Sequence, residues 1–151
     1  MKQIKATDIA LLVLRVVAGV VIVYFGSQKV LGVFGGAGIQ ATVASMKESH
    51  GIPMPLAYCA MAGEFLGGLG LIFGVLTRLA AFGVCCTTCV ATYVNASAPN
   101  AFAAIVAGNP ADSMSKVAFP LLIATIAFAI LLMGGGRIAL DSRLFRKKAP
   151  K

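Results

Sequence analysis

The chain has 151 residues, enough for one domain by length. Hydrophobic residues make up 59% and charged residues 12%, with a mean hydropathy of +0.92; soluble domains carry about 25% charged residues, so a soluble globule and a charge-rich disordered chain are both excluded. The formal net charge of +8, from 13 Lys+Arg against 5 Asp+Glu, gathers at the chain ends and points to an anionic membrane face, not to nucleic acid.

About 20 apolar residues cross a bilayer, so residues 1–151 have room for a single integral membrane domain of four spans. The first is expected over Ile9–Leu31, where Lys2 and Lys5 precede an apolar run in the manner of a signal peptide. No A-x-A cleavage site follows, so the segment reads as a retained span. After it, Ile39, Val43 and Met46 recur at helical spacing within Gly35–Leu56, and Gly51 and Pro53 end that short amphipathic helix. It is expected to lie at the membrane interface or to fold over the bundle mouth. Spans two and three are expected over Ala57–Leu76 and Leu79–Ala98, joined through Thr77-Arg78 as a tight helical hairpin. Span four is expected over Val117–Met133, with Pro120 in its first turn, where a missing N–H matters least. Gly134-Gly135-Gly136 then break the helix, and Arg137–Lys148 form a basic tail that reads as an interfacial anchor. The fold class is thus all-α, a four-transmembrane-helix bundle with an interfacial amphipathic helix between spans one and two.

Orientation follows from the basic residues. Lys2, Lys5, Arg78, Arg137, Arg143, Arg146, Lys147, Lys148 and Lys151 fall on one side, and Lys47 and Lys116 on the other. By the positive-inside rule both termini and the Arg78 turn of this multi-pass protein are cytoplasmic.

Three charges fall within spans: Arg15, Lys29 and Glu64. Such groups are costly in a bilayer and usually face a bundle interior or cavity. Arg15, Gly19, Ile22, Gly26 and Lys29 align on one face of span one. On span two, Gly63, Gly67, Gly70 and Gly74 form a small-residue stripe that admits a close helix, with Glu64 on nearly the same side. Arg15 and Glu64 are expected within reach of each other, directly or through water, while Lys29 can snorkel outward. Two readings stay open: a buried Arg15–Glu64 pair that fixes helix register, or a proton or quinone-head-group site near Glu64.

Span three carries Cys85, Thr88, Cys89, Thr92 and Asn95 at helical spacing. Two thiols one turn apart suit a soft ion such as Cu(I), but Cys also packs well between helices; with no Met or His arranged beside them, no metal site is assigned. Cys59 is expected too far along the bilayer from Cys89 for a disulfide. His50 reads as a solvated loop residue, and Met46, Met54 and Met61 as apolar filler.

In order along the chain, Leu14-Arg15 with Gly19, Gly26-Ser27-Gln28-Lys29, Gly51-Ile52-Pro53-Met54-Pro55, Gly63-Glu64 with Gly67-Gly68, Gly74-Val75-Leu76-Thr77-Arg78-Leu79-Ala80, and Gly135-Gly136-Arg137 through Leu140-Asp141 resemble the DoxX family of small four-helix membrane proteins. The resemblance implies a four-helix bundle in the cytoplasmic membrane and a link to redox chemistry, because the founding members are small subunits of a thiosulfate:quinone oxidoreductase. Other relatives are associated with thiol and oxidative-stress systems. By position, the family's polar residues fall on Arg15, Lys29, Glu64 and Arg78. Many relatives carry a His near the end of span three and a Glu ahead of span four, where this chain has Asn95 and Lys116.

The leading expectation is a membrane subunit of a quinone-linked oxidoreductase acting on reduced sulfur or thiols. Glu64 and Arg15 are its catalytic candidates, and Lys29, Arg15 and Glu64 would bind the quinone. No haem, flavin or iron–sulfur ligands are recognisable, so any further cofactor comes from a partner. The alternative is a non-catalytic accessory or assembly subunit docking through the glycine stripe and the outer helix. A third idea gives the span-three cysteines a solute or soft metal to handle. The expected partners are the lipid bilayer and a membrane or redox subunit, or further copies of the chain.

Overall fold

The computed structural model describes residues 5–97 and 110–144. Six helices follow in order: α1 (Ala6–Leu31), α2 (Gly38–His50), α3 (Met54–Phe73), α4 (Thr77–Ala96), α5 (Pro110–Met133) and the single turn α6 (Asp141–Leu144). No strand occurs among the described residues. Ala6–Leu31, Met54–Phe73, Thr77–Ala96 and Lys116–Met133 are each long and apolar enough to cross a membrane. Val17, Leu66, Leu79, Leu122 and Leu132 remain exposed around the outside, where lipid and not water is the matching solvent.

The four long helices run alternately up and down. α1 packs on α3, α3 on α4, and α4 on α5, with α1 closing back onto α5. The interior interleaves alanines with branched aliphatic residues: Ile22, Leu71, Ala80, Ala81, Val84, Ile123, Ala127 and Ile130 form one buried cluster. Between α1 and α3 the backbones nearly touch. A Cβ added at Gly68 would lie 2.9 Å from the Val23 amide nitrogen and 3.0 Å from the Gly19 carbonyl oxygen. Neither backbone atom can yield as a side chain would, which is why both positions take glycine. Gly63 and Gly67 face Gly83, Ala80, Val84 and Thr87 of α4. Much of the glycine stripe is therefore taken up by packing within the chain, with Gly67 and Gly74 buried.

α2 packs through Val43 against Ala57 and Met61, with Met46 and Ile52 beside them. Ile39 of the expected apolar face stays exposed. The helix ends at Gly51, whose φ of 64° lets its amide reach back to the Lys47 carbonyl at 3.0 Å.

The α3–α4 connection differs from the sequence expectation. It consists of Gly74, Val75 and Leu76, and Thr77 and Arg78 already belong to the first turn of α4. Gly74, at φ 68°, donates to the Gly70 carbonyl at 2.8 Å and ends α3. The start of α4 is capped from far along the chain: both Asp141 carboxylate oxygens accept at 2.7 Å, one from the Leu76 amide and one from the Thr77 amide.

The same contact changes the reading of the tail. Residues 134–142 fold back across the end of the bundle, with Ile138 and Leu140 of the expected anchor left exposed. Ala139 is buried, the Asp141 amide donates to the Gly74 carbonyl at 3.0 Å, and the Arg137 amide donates to Asp8 Oδ1 at 3.2 Å. The rest of the expected anchor, residues 145–148, lies outside the described residues.

Candidate functional site

The intramembrane charges separate into two groups. At the α2 end, Lys29 Nζ donates to both carboxylate oxygens of Glu64 at 2.7 Å. The Glu64 side chain is 8% exposed and that of Lys29 31%. At the tail end, Arg15 is buried, and its Nη1 donates to the Gly135 carbonyl at 3.0 Å. The guanidinium also packs against Gly74. Gly74 is ten residues beyond Glu64 along the same chain, about 15 Å at 1.5 Å per residue. The expected Arg15–Glu64 pair is therefore not formed, and Lys29 turns inward to Glu64 instead of outward.

Side-chain direction explains both outcomes. A helical Cα–Cβ bond tilts toward the helix N-terminus. For Arg15 and Lys29 on α1 that direction is the tail end, which takes Arg15 away from Glu64 and brings Lys29 down into the bundle. α3 runs the opposite way, so Glu64 tilts toward the α2 end and meets Lys29. Spacing and depth along the spans pointed to Arg15 as the partner of Glu64; the tilt is the signal that would have reassigned the pair to Lys29.

Two cavities share this ion pair. The first, about 650 Å³, lies between α3 and α4 beneath the α2–α3 connection, with His50, Ile52, Cys59, Gly63, Cys86 and Val90 among its walls. The second, about 510 Å³, lies between α1, α4 and α5, with Phe25, Thr88, Lys116, Phe119 and Ile123 among its walls. Lys29, Glu64, Ala91 and Asn95 border both. Walls of this kind, mostly apolar with a few convergent polar groups, characterise small-molecule sites of 300–1,000 Å³.

Several of these residues were not assigned to a site from the sequence. His50 is exposed, as expected, yet it also borders the first cavity. Asn95 Nδ2 donates to the Lys116 carbonyl at 2.9 Å, so the end of α4 and the start of the α5 span adjoin each other beside Lys29 and Glu64. Helical spacing placed each on its own span; nothing local linked α4 to α5. The cysteines also sort differently, since Cys59 and Cys86 line the first cavity while Cys85 packs against the core. The hydroxyls of the span-three stripe are spent on their own helix, Thr88 donating to the Val84 carbonyl at 2.7 Å and Thr92 to the Thr88 carbonyl at 2.8 Å. Among the described residues no three His, Cys, Asp or Glu side chains gather as a metal ion would need.

No curated protein and no solved structure matches the chain. Residues 10–97, spanning nearly all of α1 and then α2 to α4 with both Lys29 and Glu64, match the sequence model of the DoxX family. This match covers more than half of the molecule, and the chain belongs to the DoxX family.

Proposed function

We propose that this DoxX protein is a membrane subunit of a quinone-linked oxidoreductase, with a quinone head group bound beside Lys29 and Glu64. One observation carries the reading: a two-oxygen Lys29–Glu64 ion pair, largely enclosed by membrane-type helices, borders a mostly apolar cavity of about 650 Å³. That volume suits a neutral ring with the start of its apolar tail, and the two polar groups suit the ring oxygens. A bound quinone supplies two-electron, two-proton redox chemistry. Lys29 Nζ donates a hydrogen bond to a ring oxygen, and the Glu64 carboxyl exchanges a proton there. Ile52, Val90 and Ala91 give the cavity apolar walls beside that exchange. Electrons come from reduced sulfur or thiols oxidised by a partner subunit. The basic residues at both chain ends support placing the termini in the cytoplasm, in the cytoplasmic membrane.

Arg15 leaves this proposal. Its guanidinium lies at the tail end, so it holds helices together and does not touch the ring. Glu64→Gln tests the reading through quinone reduction in membranes supplied with a thiol donor, together with binding of a short-tail quinone to the purified protein. Rates that match the wild type would sink it. Asn95 and Lys116, standing where many relatives carry titrating His and Glu, favour the alternative of a non-catalytic accessory subunit. That role predicts silent Glu64→Gln kinetics and a larger membrane complex that co-purifies in mild detergent.

A further inference from the structure

The two cavities on either side of Glu64 differ in charge. Around the first, Lys29 and Glu64 cancel, and His50 is the remaining basic side chain. Around the second, Lys29 and Lys116 stand against Glu64, whose two oxygens are both taken by Lys29. The other carboxylates with described side chains, Asp8, Glu48 and Asp141, do not border it. Lys116 is also held in place: its carbonyl accepts from Asn95, which fixes the start of the α5 span against the end of α4. The other described walls of this cavity are mostly apolar. Phe25 and Phe119 meet in a tilted ring contact at 5.5 Å between centroids, with the buried Ile22 and Ile123 also in the wall. Among the described side chains this leaves one ammonium uncancelled over a mostly apolar cleft of about 510 Å³, which matches a ligand with one negative oxygen head and an apolar body.

We propose that the cavity between α1, α4 and α5 binds an amphipathic oxyanion, its head at Lys116 and Asn95 and its apolar part along Phe25 and Phe119. The chemistry is shared by an anionic lipid head group and a free long-chain carboxylate. The two cavities share Asn95 and the ion pair, but Lys116, Phe25 and Phe119 border this one and not the ring cavity, so quinone binding can fail while anion binding persists, and the reverse. Lys116 is exposed, and the competing account is a lysine that only snorkels to water.

Native mass spectrometry of the full-length protein from mixed micelles of phosphatidylglycerol and phosphatidylcholine decides between these accounts. The wild type should retain one phosphatidylglycerol with a preference of about fivefold or more, the factor expected from one basic residue near an anionic head group. Lys116→Gln should abolish the preference, Lys116→Arg should keep it, and Lys47→Gln on α2 should leave it unchanged. Titration with decanoate identifies the source. Displacement of phosphatidylglycerol by decanoate indicates a free carboxylate as a competent ligand, and retention against decanoate indicates a lipid site. No preference in the wild type, or an equal preference in Lys116→Gln, overturns the proposal.

Discussion

The two ends of the bundle bury charge in opposite ways. At the tail end, charge meets backbone: Arg15 binds the Gly135 carbonyl, Asp8 accepts from the Lys5 and Arg137 amides, and Asp141 accepts from Leu76 and Thr77. Glycines press onto the guanidinium and fill the space around it. At the α2 end, charge meets charge, Lys29 on Glu64, with open volume on both sides. A charge tied to carbonyls and amides of three segments works as a clasp. A charge pair bordering cavities can exchange its partner for a ligand. Burial alone, the criterion that singled out Arg15, Lys29 and Glu64 together, does not separate these roles; the available space does.

Breaking the pair tests that contrast most strongly. Glu64→Gln should lower quinone reduction by about a hundredfold, the scale of a lost general acid–base group. The double change Lys29→Met with Glu64→Leu should remain folded, because a buried pair replaced by apolar residues is often neutral in stability. Thermal unfolding in detergent close to wild type, with quinone reduction lost, is the expected combination. A double variant that keeps its activity would remove the pair from the chemistry.

Next in size is the helix contact on which both ends depend. Gly68→Val should destabilise by about 1–3 kcal/mol or more, since its side chain meets the Val23 amide and the Gly19 carbonyl, not a flexible side chain. The melting temperature should fall while the folded fraction retains its ring affinity.

The bundle itself was legible because apolar length and charge asymmetry are local properties. Span one was expected from Ile9 and starts at Ala6, where Asp8 accepts from the Lys5 amide and adds a first turn that hydropathy does not register. The Thr77-Arg78 turn was misplaced for a non-local reason: Asp141, 64 residues away, supplies the cap that lets Thr77 enter the helix. The inward face of Arg15, Gly19, Ile22 and Gly26 was legible from spacing and is buried as expected. The pairing of Lys29 with Glu64 needed depth and side-chain tilt together. The joining of Asn95 to Lys116 needed the packing of α4 on α5, which no periodicity encodes.

A smaller effect tests the clasp. Arg15→Met keeps most of the buried volume and removes the hydrogen bond to Gly135. Stability should fall by about 1.5–3 kcal/mol, the range for a hydrogen bond to a charged group. Quinone binding per folded molecule should not change. A selective loss of ring affinity in this variant would return Arg15 to the site and erase the distinction between the two ends.

The smallest effect belongs to Asp141, and its sign is set by the clasp. Burial raises the pKa of this carboxyl, but hydrogen bonds from Thr77 and Leu76 and the charge of Arg15 outweigh it and hold the group below its ordinary value. The ionised form is therefore the one that stabilises the fold. Its contribution is complete above the ordinary carboxylate pKa, about 3.9, and is lost as pH falls through the lower folded value. Asp141→Asn should cost about 1 kcal/mol at neutral pH, as the loss of a helix cap does. Unfolding curves of wild type and variant should stay parallel down to about pH 5 and converge below about pH 4. Other carboxylates titrate equally in both proteins, so the difference between the curves isolates Asp141. Divergence on acidification would mean that the neutral acid is the stabilising form and that the α4 cap is not made by an ionised Asp141.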